Sequence, residues 1–142
     1  SDPFAEENLS GTIELSEDPG LNYTVLPCEV SGIANLASVA KITEGNTVSS
    51  KIIIHSGSEQ IKQLDFGYSD RVRMYLNGLI IYSGNNNYRS RDYRYLGTIG
   101  YFETVYLPLK EGENTLIMAV SESFGGWGLT ARFSDPENIE IR

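Results

Sequence analysis

Hydrophobic and polar positions in this chain alternate with a period of two, the spacing that sends successive side chains to opposite faces of a strand. The clearest stretch is RVRMYLNGLIIYSG. There Val72, Met74 and Leu76 alternate with Arg71, Arg73 and Tyr75, Asn77-Gly78 supplies a type I′ turn, and LIIY returns as the second arm of a hairpin. Residues 12–16 (TIELS) alternate ahead of the turn EDPG. Residues 23–36 are rich in β-branched side chains but are interrupted by Pro27 and Gly32, which predicts an edge or bulged strand. VSSKIIIHS reads as a strand whose Ile52, Ile53 and Ile54 suit cover on both faces. In IKQLDFGYS, Ile61, Leu64 and Phe66 break strict alternation and predict a bulge. TVYLPL, a KEGEN loop, TLIMAVSES and GWGLTARF complete the series.

Helical signals are weak. Residues 35–41 come nearest to an apolar helical stripe, and they are short and uncapped. Short strands separated by turns, without helices between them, predict an all-β fold: an antiparallel β-sandwich of jelly-roll type. Residues 1–142 are read as a single such domain, with residues 1–8 as a polar arm or junction. Across residues 84–101 the strand pattern disappears. So long a connection in a compact domain is expected either to bind something or to pack as an ordered lid.

Composition narrows the partners. The chain has 142 residues, a net charge of −8 and a pI near 4.6, a balance that repels nucleic acid and anionic membranes. No apolar run is long enough to cross a bilayer. The lone Cys28 excludes an internal disulfide framework and a multi-cysteine zinc site, and leaves the compartment open, with an extracytoplasmic setting favoured.

Two blocks carry a family resemblance. FGYSDRVRMYLNGLIIYSG, followed by YRYLGTIGYFETVYLPLKEGENTLIMAVSESFGGWGLTARF, resembles galactose-binding-like β-sandwich modules. These include the sugar-binding domain of family 2 glycoside hydrolases and other carbohydrate-binding modules. The resemblance spans residues 51–133 and rests on the DRVRMYLNG hairpin, the LPLKEGEN turn and the TLIMAVSESFGGWG block. It implies a galactose-binding-domain-like jelly roll serving as a non-catalytic carbohydrate-binding or accessory module. The alternative is a bracing or protein-interaction domain beside a larger, glycosidase-like protein, because this fold serves both roles.

Catalytic chemistry finds little support. His55 is the sole histidine, it follows an apolar strand run, and no G-x-S-x-G turn accompanies it. Asp92, Glu103 and Glu122 offer conceivable carboxylate pairs, but 19 acidic residues on a small surface make chance pairs common. SEDPG and SDPEN have oxygen ligands without EF-hand spacing, and turn chemistry accounts for them, so no metal or cofactor is expected.

Ligand chemistry concentrates in NNNYRSRDYRY. Arginine forks bond carboxylates or vicinal hydroxyls, and tyrosines provide a stacking face with a hydroxyl at its edge. Tyr88, Arg89, Arg91 and Tyr93 are therefore the expected contacts for an oligo- or polysaccharide. The same side chains also suit internal pairing with Asp65, Asp70 and Glu103, or burial against a neighbouring protein domain. Trp127, in SFGGWG, joins the candidates if it points outward as a sugar-stacking platform; pointing inward, it anchors the core.

Overall fold

The alternating segments pair into two antiparallel sheets packed face to face. The structure is a computed structural model describing residues 1–9, 22–41, 45–87, 98–123 and 126–142. Its strands are β1 (Ala34–Asn35), β2 (Thr47–Ser56), β3 (Gln60–Tyr68), β4 (Arg71–Leu76), β5 (Leu79–Asn85), β6 (Glu103–Leu109), β7 (Gly112–Ser121), β8 (Gly128–Phe133) and β9 (Ile139–Ile141). One sheet runs β1-β8-β3-β6 and the other β5-β4-β7-β2-β9. From β2 onward the chain changes sheet at every connection except the β4–β5 hairpin, as a jelly roll requires.

The core lies between the sheets. Leu64, Phe66, Leu107 and Leu109 project from the four-stranded sheet. Val48, Ile54, Val72, Met74, Leu116, Met118 and Val120 project from the five-stranded one. The hairpin turn forms as expected, with positive φ at Asn77 (50°) and Gly78 (86°).

Several expectations are corrected. Within residues 23–36 only Ala34–Asn35 pairs as strand, followed by a 3-10 turn over Leu36–Ser38. Gly84 and Asn85 belong to β5 rather than to the long connection. The predicted bulge in β3 is absent: Gln60 to Phe66 pair one for one with β6, and the slip sits instead at Met74/Tyr75 between β4 and β5. Alternation in β3 looks broken because Lys62 takes an inward position, its ammonium reaching Asp135 at 2.7 Å, while Ile61 faces solvent. Within the IIIH run, Ile54 is fully buried, whereas Ile52 and Ile53 are half-buried.

The first residues pair with the free edge of β2, and the chain from Glu6 to Leu9 reaches over to the outward-facing arginines of β4. The Ser1 amine donates to the Ser49 carbonyl at 2.8 Å, and Phe4 and Thr47 exchange backbone hydrogen bonds. Glu6 pairs with Arg71 at 2.8 Å, and Arg73 donates to the Leu9 carbonyl. This strap runs from β2 past β7 to β4, and along its path Thr47, Ser49, Tyr75, Ile117, Ala119 and Ser121 are buried. Tyr75, in the row with Arg71 and Arg73, is fully buried, and burial pushes its phenol above the ordinary tyrosine range.

Candidate functional site

Strand register places a mixed aromatic and polar row on the outer face of the four-stranded sheet. β3 lies at its centre, between β8 and β6. Gln63 stands opposite Tyr106, and Asp65 stands opposite both Thr104 and Arg132. Directly paired residues share a face, so these side chains project together on the side away from the core.

Asp65 organises the row. Its Oδ1 accepts from Gln63 Nε2 and Thr104 Oγ1, each at 2.9 Å, and its Oδ2 accepts from Ser134 Oγ at 2.9 Å. Arg132 Nε approaches Oδ2 at 3.7 Å. The Gln63 amide, then the two hydroxyls, hold the Asp65 carboxyl below the usual carboxylate range. Arg132 also lies over the Tyr101 ring, 4.2 Å from its centroid, in cation–π geometry. Tyr101, Phe102 and Tyr106 are exposed, Tyr106 by 64%, and Ile61 adds an apolar side chain at the end of the row.

The chain entering β6 crosses this same face. Gly67 lies under the Gly100 backbone, where a β-carbon would collide with the Gly100 carbonyl oxygen. That contact brings Tyr101 to Arg132. At the other end of the long connection, Asn86 N–H donates to the Asp70 carbonyl at 2.6 Å. Nearby, Arg71 joins Glu6 and Ser123, and Asp70 accepts from the Ser123 N–H. Behind β5, Tyr82 packs edge-on against Phe66 and hydrogen-bonds Tyr68 and Glu103, so Glu103 serves an inward network.

Tyr88, Arg89, Arg91, Asp92 and Tyr93 lie outside the described residues. Trp127 takes the inward of its two expected placements. It is 3% exposed, packed in the core, and its indole N–H donates to the Val120 carbonyl at 3.0 Å. The pull of a large apolar ring into the sandwich, together with this hydrogen bond, turns it inward. Glu122 is also buried. His55 is exposed on β2 opposite Glu113 and Glu140. Among the described residues no group of three His, Cys, Asp or Glu side chains converges as a metal site. No helix among them is long and apolar enough to cross a membrane.

Sequence reasoning passed over Tyr101, Tyr106 and Arg132 because each occurs singly within a strand-like or turn-like stretch. The usable signal was alternation: Thr104 and Tyr106 fall out of phase with the core-facing Val105, Leu107 and Leu109.

No family model and no curated protein matches the chain. Among solved structures it is similar to a family 35 carbohydrate binding module from an environmental isolate, at 15% identity and a TM-score of 0.50. The match covers 98% of this chain and 96% of that one. The likeness is one of fold, a sandwich of two antiparallel β-sheets.

Proposed function

We propose that the protein is a non-catalytic carbohydrate-binding module. The observation that carries the reading is the return of the long connection onto a solvent-facing sheet. Tyr101 is laid over Arg132 there, beside exposed Tyr106 and the hydrogen-bonded Asp65 cluster. Rings that stack on C–H faces and oriented polar groups that read hydroxyls are what a sugar surface needs. The likeness in fold to a carbohydrate binding module supports the same reading. Tyr88, Arg89, Arg91 and Tyr93, in the connection that leads to Tyr101, are proposed as further contacts. The mechanism is passive recognition on a preformed surface, with weak affinity, of about millimolar to micromolar Kd for one shallow site. Titration against neutral and acidic polysaccharides tests this: saturable binding is expected, and a flat response to all of them refutes it.

A second reading is a bracing domain that docks on a neighbouring protein. It is favoured by Leu79 and Ile80, exposed by 65% and 43% on edge strand β5. Exchanging both for threonine leaves saccharide binding unchanged under the first reading. Under the second it weakens association with the neighbouring domain.

A further inference from the structure

We infer that the outer face of the four-stranded sheet is itself a platform for a neutral oligosaccharide chain, lying across the strands from Tyr106, over Gln63 and Asp65, to Arg132 and Tyr101. This rests on the carbohydrate-binding reading and locates a site within it that uses none of the tyrosine- and arginine-rich residues 88–95.

The geometry sets the footprint. Tyr106 and Arg132 lie on the two strands flanking β3, displaced by one two-residue step along it. With strand spacing near 4.8 Å and a rise near 3.3 Å per residue, they stand about 12 Å apart, room for roughly two to three hexose rings. Tyr106 supplies an aromatic surface at one end, and the Tyr101–Arg132 stack supplies one at the other.

Between these ends the groups are polar and already oriented. Asp65 fixes the Gln63 amide through its Nε2 and the Thr104 hydroxyl through its hydrogen. That leaves Gln63 Oε1 and the Thr104 oxygen lone pairs as acceptors in known positions. A dry apolar partner would have to bury this cluster at a desolvation cost, whereas a polyhydroxylated chain exchanges hydrogen bonds with it. Preorganisation also spares the ligand the entropy of ordering these side chains.

Charge selects the ligand class. Asp65 and Arg132 offset each other across 3.7 Å, so the row carries little net charge. The chain as a whole carries −8, a field that repels polyanions. A neutral glycan meets neither penalty, while a polyuronate meets the second.

The test titrates the full chain with cellohexaose, xylohexaose, mannohexaose and an oligogalacturonate, and with the matching neutral disaccharides. Four proteins are compared: the parent, Tyr106→Ala, Arg132→Met and the double variant Tyr88→Ala/Tyr93→Ala. Tyr106 and Arg132 are exposed, so their variants should keep the parent thermal midpoint. The expected result is binding of at least one neutral hexasaccharide more tightly than its disaccharide. Tyr106→Ala and Arg132→Met should each weaken it by about tenfold, the scale of losing one stacking platform. Neutral binding that survives both changes and is lost only in Tyr88→Ala/Tyr93→Ala overturns the sheet-face site while keeping the module reading. Preference for the oligogalacturonate overturns the ligand class. Silence toward every saccharide overturns both readings, and self-association abolished by Tyr106→Ala with that silence assigns the face to a protein neighbour.

Discussion

Gly67 is the floor on which Gly100 rests. The backbone of the connection passes so near the centre of β3 that only a residue without a side chain fits beneath it. Gly67→Ala forces the 98–101 segment off the sheet and pulls Tyr101 from Arg132. Overpacking of this kind should destabilise the fold by about 1–3 kcal/mol, measured by urea unfolding, and weaken saccharide binding together with it. A variant as stable as the parent would show that the segment does not press on β3.

Trp127 should matter to stability and not to ligand. Trp127→Phe removes indole volume from the core and one hydrogen bond to the Val120 carbonyl, a loss of about 2 kcal/mol. Circular dichroism should follow the unfolding, since Trp127 is the only tryptophan. Saccharide affinity in the folded variant should match the parent, and a selective loss of affinity would contradict the inward placement.

A partly buried ion pair joins the backbone bonds that hold the N-terminal strap. The Arg71 and Glu6 side chains are only 22% and 23% exposed, and Arg71 also bonds Ser123. Arg71→Ala leaves the half-buried Glu6 carboxylate without its partner, at a cost on the order of 1 kcal/mol. Limited proteolysis should then cut within the first nine residues well before the sandwich opens; parent-like resistance would mean that the backbone bonds of Phe4 suffice.

Acid should loosen the fold through carboxylates held by hydrogen bonds. Asp65 is held by Gln63 and its hydroxyl partners, Asp135 by Lys62, and Glu140 by Arg142, each below its ordinary range. Because the folded values lie below the unfolded ones, the unfolded chain takes up protons first as pH falls. Their contribution is complete above the ordinary carboxylate range, about pH 4, and is lost as pH drops from there through the folded values. The thermal midpoint should therefore fall in that window, and Asp65→Asn should flatten the slope. An unchanged slope would remove Asp65 from the account.

Much of the sandwich could be read from alternation, because each strand from β2 onward has one face on a dry core. The hairpin was the plainest case, where Asn77-Gly78 and the Val72, Met74, Leu76 row specify turn and face together. Reading failed where a third layer or a long side chain changed what "inside" means. Tyr75 is buried although it lies on the outer face, and Lys62 occupies a core position because its ammonium escapes to Asp135. The sheet-face row was hidden for a different reason. Tyr101, Tyr106, Asp65 and Arg132 are scattered over nearly seventy positions in sequence and meet only through strand pairing and the passage of residue 100 over Gly67. Composition drew attention instead to the dense run at residues 85–95.

The habit of changing sheet at almost every connection also governs how the chain must fold. Among the described strands only β4 and β5 pair through a short local turn; β2 finds β7 with Thr47 and Ser121 74 residues apart. Chain closure over such separations precedes most of the stabilising contacts, which places folding on the slow side, in milliseconds to seconds, with the Asn77-Gly78 hairpin as the local seed.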